Sequence, residues 1–216
     1  MEPSTNISWT TCYNDQKCAR LTLPLDYLSS EPNGPTTQIA LRMIPAKDKQ
    51  NYRGTILINP GGPGGSGTGL VERAGGNISR IVGDSFDILG FDPRGIGAST
   101  PRADCFGNDA ERQIWDMQDD HRLLNLSDPG TITLSRARQQ LVADRCEEAI
   151  GGPEGIGRFM STASVARDML EITKKLGQEK LKYWGFVSID TLPRIGADHF
   201  VELWLRSRPI FLGDVP

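Results

Sequence analysis

The 216-residue chain contains no run of about 18 apolar residues, so no transmembrane helix is expected. It has no basic excess. Its 24 Lys and Arg stand against 27 Asp and Glu, a net charge of −3, which argues against nucleic acid or an anionic membrane surface as a main partner. Histidine is scarce, with only His121 and His199, and the four cysteines follow no zinc spacing. No metal site and no cofactor are expected. The opening residues, Met1-Glu-Pro-Ser-Thr-Asn6, are polar and acidic and do not read as a signal peptide. Internal repeats and low-complexity tracts are missing as well. What is present is a soluble, globular composition, 38% apolar and 24% charged, in a chain long enough for one good-sized core.

Within that composition, Asn59-Pro-Gly-Gly-Pro-Gly-Gly-Ser-Gly67 places five glycines in nine residues, straight after the apolar run Thr55-Ile-Leu-Ile58. Glycine loses the most backbone entropy on folding, so such a stretch is no packing element. It suits a loop in which the backbone turns sharply or bares its N–H groups to an anion. A strand that runs into such a loop and then a helix puts those groups at the carboxyl edge of a parallel sheet, where ligands bind in open α/β folds.

The surrounding pattern supports that placement. Ala19–Pro24 and Ile39–Ile44 read as two strands, expected to pair antiparallel. Thr55–Ile58 and Phe86–Phe91 are continuous apolar runs, as in buried parallel strands, and 67–82 has room for one crossover helix. Thr133–Ile150 is expected to be helical, burying Leu134, Ala137, Leu141 and Ala149 on one face. Met160–Leu176 is a second helix, with Val165, Met169, Ile172 and Leu176 on one stripe and Gly177 after it. Leu181–Phe186 reads as a further strand. The fold class is α/β, a mostly parallel sheet flanked by helices.

Three chemistries could use the loop. Gly62-Pro-Gly64-Gly-Ser-Gly67 matches a dinucleotide fingerprint, with Asp92 ending the next strand. Pro60 and Pro63, however, remove donors that a pyrophosphate needs, and two strands precede the motif instead of following it. A phosphate P-loop is excluded, since no Gly-Lys-Ser/Thr follows. An oxyanion loop fits better: in acyl transfer a carbonyl oxygen becomes an alkoxide, and rigid backbone N–H groups stabilise it. Gly61 and Gly62 are the expected donors. A tight strand-to-helix turn without a ligand is the alternative reading.

The chain resembles the α/β-hydrolase group of secreted tripeptidyl and prolyl aminopeptidases. The resemblance lies in Cys12, Cys18-Ala-Arg-Leu-Thr-Leu-Pro-Leu-Asp-Tyr27, the Asn59–Gly67 loop, and Phe86-Asp-Ile-Leu-Gly-Phe-Asp-Pro-Arg-Gly95-Ile-Gly97-Ala-Ser99. It continues through Ser161-Thr162, Val165-Ala-Arg-Asp168 and Tyr183-Trp-Gly-Phe186. It implies a serine hydrolase acting on a peptide or small-molecule amide or ester, in a family whose members are often secreted.

The resemblance stops after Phe186. The implied nucleophile elbow, G-x-S-x-G, is replaced by Gly185-Phe-Val-Ser-Ile189. Val187 holds the expected serine position, and Ile189 stands where a glycine is needed, in a backbone that β-branched residues tolerate poorly. Ser188 serves as nucleophile only if the strand shifts by one residue, which turns its side chain to the other face. Downstream, Asp190 and His199 are too close together to match the implied acid and base. The expected organisation is therefore 1–186 as the N-terminal part of a hydrolase domain, truncated after the strand that should carry the nucleophile, and 187–216 as a divergent tail without a lid domain. A frame change, a retained intron or an early stop after Phe186 accounts for it. Three readings stand at this stage: an aminopeptidase-like hydrolase inactive as this chain, a non-catalytic remnant or binding fragment, and a small-molecule ester or amide hydrolase. The strand Leu181–Phe186 is expected to form an exposed edge that invites self-association.

Cys12 and Cys18 are spaced to close a small loop, and Cys105 and Cys146 flank a helical region; all four are disulfide candidates. Asn6, Asn77 and Asn125 open N-x-Ser sequons and are candidate glycosylation sites. With the cysteines they hint at secreted ancestry, while the chain carries no recognisable leader, so the compartment stays open.

Overall fold

The computed structural model describes residues 1–29, 31, 34–62, 64–118, 129–152 and 155–186. Strands β1 (Thr10–Cys12), β2 (Gln16–Pro24), β3 (Thr36–Ile44), β4 (Gly54–Asn59), β5 (Phe86–Phe91) and β6 (Lys182–Gly185) form one sheet, in the order β1-β2-β3-β5-β4-β6. From β1 to β5 across the sheet the pairing is antiparallel; β5, β4 and β6 run parallel. Helices α1 (Gly67–Val82), α2 (Asp109–Met117), α3 (Pro129–Ile150) and α4 (Thr162–Lys175) complete the described elements, with a 3-10 turn at Ile156–Phe159.

Side-chain alternation along the strands divides the core. Leu57, Leu89 and Phe91 point to one face and pack with Met169 and Ile172 of α4, flanked by Val165 and Leu176. Ile56, Ile58, Phe86 and Ile88 point to the other and pack with Val71 and Ile78 of α1. Being covered on both faces explains why β4 and β5 are apolar without alternation. The stripe expected on α4 is thus the buried one.

Helix α1 lies very close to β5. A Cβ at Gly67 would stand 2.1 Å from the Phe91 carbonyl oxygen, and one at Gly90 would stand 2.1 Å from the Gly67 carbonyl oxygen. Backbone meets backbone there, so neither position has room for a side chain.

One buried ion pair crosses the fold. Arg94, just past β5, and Asp168 on α4 are both fully buried. The guanidinium donates from Nε to Oδ2 at 2.6 Å and from Nη2 to Oδ1 at 2.8 Å. It also donates to the Pro24 carbonyl at 2.7 Å and to the Leu25 carbonyl, after the end of β2. Tyr27 donates its hydroxyl to Asp168 Oδ1 at 2.6 Å, and its ring lies 4.9 Å from the Arg94 guanidinium carbon.

Helix α3 departs from the expected packing. Leu134 and Leu141 are 57% and 53% exposed, and Ala137 and Ala149 are exposed too. The less exposed side carries Thr131, Ser135, Arg138, Val142, Arg145 and Cys146. Polar and covalent links decide this orientation: Arg138 donates to the Trp115 carbonyl at 2.9 Å, Arg145 pairs with Glu111 of α2, and Cys146 is bonded to Cys105. Trp115 packs among Phe106, Arg138 and Arg145.

Gly67→Ala or Gly90→Ala should destabilise the protein by about 1–3 kcal/mol in urea titrations, as overpacking does. Gly76→Ala, where an added Cβ meets nothing within 4 Å, should stabilise by about 0.5–1 kcal/mol. Asp168→Ala leaves a buried guanidinium without its counter-ion and should cost about 3–5 kcal/mol by the same measurement.

Candidate functional site

The parallel pairing of β4 with β6 sets Asn59 opposite Gly185, and the Phe186 N–H donates to the Asn59 carbonyl at 2.8 Å. The glycine-rich loop and the end of β6 therefore lie side by side at the carboxyl edge of the sheet. Residue 187 and all that follow, Ser188, Asp190 and His199 included, lie outside the described residues.

The loop takes its shape from positive φ angles: 80° at Gly61, 128° at Gly62 and 92° at Gly64. At Gly62 a side chain would be strained, and its Cβ would come 3.0 Å from the Gly64 nitrogen. The Gly65 N–H closes the loop onto the Gly61 carbonyl at 3.1 Å. Asn59 Oδ1 accepts from the Gly61 N–H at 2.8 Å. The Gly62 N–H has no acceptor among the described residues, and Gly62 is exposed.

Asp92 anchors the far end of the loop. Fully buried at the end of β5, its carboxylate accepts from the Ser66 hydroxyl at 2.8 Å, the Thr68 N–H and hydroxyl at 2.9 Å each, and the Ala98 N–H at 2.8 Å. Ser66 in turn caps α1, accepting from the Gly69 N–H at 2.9 Å. A single carboxylate thus fixes where the loop ends and the helix begins. Arg94, from the turn after β5, braces the segment at the end of β2 through the Pro24 and Leu25 carbonyls, with Asp168 as its ion-pair partner.

Aromatic residues of β6 complete the edge. Tyr183 packs toward the α4 side of the core and Trp184 toward the α1 side, while the Trp184 and Phe186 rings stack at 5.1 Å. Burial pushes the Tyr183 phenol up to about 12, against an opposing influence of the Asn59 side chain. Burial, followed by the bond to Asp168, also raises Tyr27 above its ordinary value.

The other sequence candidates are dispersed. Cys12 is bonded to Cys18 across the β1–β2 hairpin, and Cys105 to Cys146, both far from the loop in the fold's connectivity. Asn6 and Asn77 are exposed, Asn77 on α1; Asn125 falls outside the described residues. Among the described residues no cluster of His, Cys, Asp and Glu could hold a metal, and no helix is long and apolar enough to cross a membrane. Asn59 and Tyr183 were missed as site residues. Asn59 could have been found, because Asn two residues before Gly is an Asx-turn signal.

An open α/β sheet with a glycine loop at its carboxyl edge defines a broad class of ligand-binding folds. The sequence profile described as alpha/beta hydrolase fold matches residues 54–186, and the chain belongs to that family. Serine protease Hip1 of Mycobacterium tuberculosis is 31% identical over 216 residues, covering 95% of this chain and 39% of that protein. Carboxylesterase B of the same species is 33% identical over 172 residues, 75% of this chain and 31% of that protein. Tripeptidyl aminopeptidase of Streptomyces lividans is 31% identical over 189 residues, 83% of this chain and 33% of that protein. The chain thus spans between 31% and 39% of the length of these relatives. A solved cold-adapted esterase from an Arctic intertidal metagenomic library superposes with TM-score 0.27 at 15% identity, over 84% of this chain and 90% of its own.

The raised phenols give a pH dependence of defined sign. Unfolded, both tyrosines ionise near their ordinary value of 10.0; folded, they ionise later, Tyr183 at about 12. The stability they contribute is complete below the unfolded value and is lost as pH rises toward the folded one. Melting temperature should therefore fall between about pH 10 and about pH 12, and Tyr183→Phe should flatten that fall in pH-scanned thermal melts.

Proposed function

We infer that the chain carries the carbonyl-binding half of a serine hydrolase that cleaves peptide amide or ester bonds. One observation carries the reading: the glycine loop and the end of β6 emerge side by side, with Phe186 bonded to Asn59. A nucleophile leaving β6 would attack a carbonyl carbon held against the loop. The carbonyl electron pair moves to oxygen as the new bond forms, and a backbone N–H of the Gly61–Gly62 segment stabilises the resulting alkoxide. The relatives named above are a serine protease, a carboxylesterase and a tripeptidyl aminopeptidase. Their names share acyl transfer and differ in the group released, so the substrate class proposed here is an acyl amide or ester, without a narrower choice.

The stretch Gly185-Phe-Val-Ser-Ile189 favours a second reading, in which this chain keeps the loop and lacks a working nucleophile. Residues 1–186 are then the N-terminal part of a hydrolase domain and 187–216 a divergent segment. The two disulfides support an oxidising compartment for either reading.

A fluorophosphonate probe separates the two. Covalent labelling of the 216-residue chain that disappears in Ser188→Ala supports the hydrolase; no labelling above a heat-denatured control supports the non-catalytic form.

A further inference from the structure

We propose that Asn59 is the positioning residue of the carbonyl-binding loop: its carboxamide withdraws the Gly61 N–H from the ligand and leaves that of Gly62 as the donor, while its main-chain carbonyl ties the loop to the end of β6. The proposal rests on the hydrolytic reading of the loop and adds to it which donor acts and what sets it.

Asn59 makes two links. Oδ1 accepts from the Gly61 N–H at 2.8 Å. The main-chain carbonyl accepts from the Phe186 N–H at 2.8 Å. The first link is an Asx turn, which folds the Gly61 N–H back toward the strand it has just left. The second fastens the end of β6 to the same residue.

The consequence for the donors follows from hydrogen-bond energetics. An oxyanion gains most from an N–H that has no partner before reaction. A donor already bonded within the protein must first give up that bond, and the exchange cancels most of the gain. Gly61 is in that position. Gly62 is exposed, sits at φ 128° and has no acceptor among the described residues.

The Gly61 link fixes which end of the carboxamide faces the loop: Oδ1 accepts, and the reverse would set an NH2 against an N–H. Aspartate at position 59 would keep the Gly61 bond and bring a negative charge beside a developing alkoxide. A neutral carboxamide holds the Gly61 N–H without that charge.

Amide hydrogen exchange followed by NMR on the full chain tests this without relying on activity. In the wild type the Gly61 amide should be protected and the Gly62 amide should exchange near its intrinsic rate. Asn59→Ala should lower Gly61 protection by about fivefold or more, the worth of one hydrogen bond. Asn59→Asp should keep Gly61 protected. A Gly61 amide as labile as Gly62 in the wild type would overturn the proposal. So would protection unchanged in a folded Asn59→Ala or lost in Asn59→Asp. Should Asn59→Ala fail to fold, Asn59→Asp decides, since it must keep Gly61 protected. Fluorophosphonate labelling keeps the two readings apart. An unlabelled wild type removes the hydrolase and leaves exchange to decide on Asn59. In a labelled one, Asn59→Asp should cut the maximal inactivation rate by about tenfold or more, with the half-saturating reagent concentration nearly unchanged, whereas equal rates would overturn the positioning role.

Discussion

The pairing of Arg94 with Asp168 is the constraint on which the rest of the fold hangs. It joins three stretches distant in sequence: the segment after β2, the turn after β5 and helix α4. A guanidinium and a carboxylate taken fully out of water each lose several kcal/mol of hydration. The loss is offset only when both ends are saturated with good geometry. Here the guanidinium reaches two carboxylate oxygens and two main-chain carbonyls, and the carboxylate also accepts from Tyr27. No buried side-chain nitrogen or oxygen among the described residues is left without a partner. Such a junction specifies position more than it adds stability, because an imperfect seating of α4 leaves a buried charge exposed to nothing.

Asp92 performs the equivalent task two residues earlier, for the opposite side of the sheet. It receives the first turn of α1 on one side and the Ala98 backbone on the other. Together with the backbone contact between Gly67 and Gly90, it brings α1 down onto β5. The glycine loop is thereby held at both ends, by Asn59 where it leaves β4 and by Asp92 where it enters α1. Its interior can then adopt positive φ angles without collapsing onto the sheet.

Much of this was legible in the residues. The continuous apolar runs of β4 and β5, the extent of α1 and the buried stripe of α4 all follow from periodicity, because burial on both faces or on one stripe leaves a direct trace. The family followed from ordered motifs. What escaped was decided by specific polar contacts. Helix α2 was not foreseen, although Asn108 caps its first turn, accepting from the Glu111 N–H at 2.9 Å, and Glu111 reaches back to accept from the Gly107 N–H at 2.9 Å. Helix α3 presents a different side from its apolar one, since a disulfide and two arginine contacts outweigh a short, broken stripe. At the candidate site, Gly61 and Gly62 looked alike from sequence; only the Asn59 side chain distinguishes them.

The Cys105–Cys146 link has a consequence for cooperativity. Helices α2 and α3 share the Glu111–Arg145 salt bridge and the contacts of Trp115 with Arg138 and Arg145, and the disulfide ties α3 to the segment just before α2, while the buried clusters of the sheet include no residue from either helix. The chain is therefore built as a densely packed sheet unit and a thinly packed helical pair, and the two have separate claims on stability. Breaking the Cys105–Cys146 bond would loosen this region, which carries exposed apolar side chains such as Ile114, Met117 and Leu134, without removing any contact of the two buried clusters. The bond ties α3 to the segment leading into α2, and so marks the boundary along which the molecule comes apart.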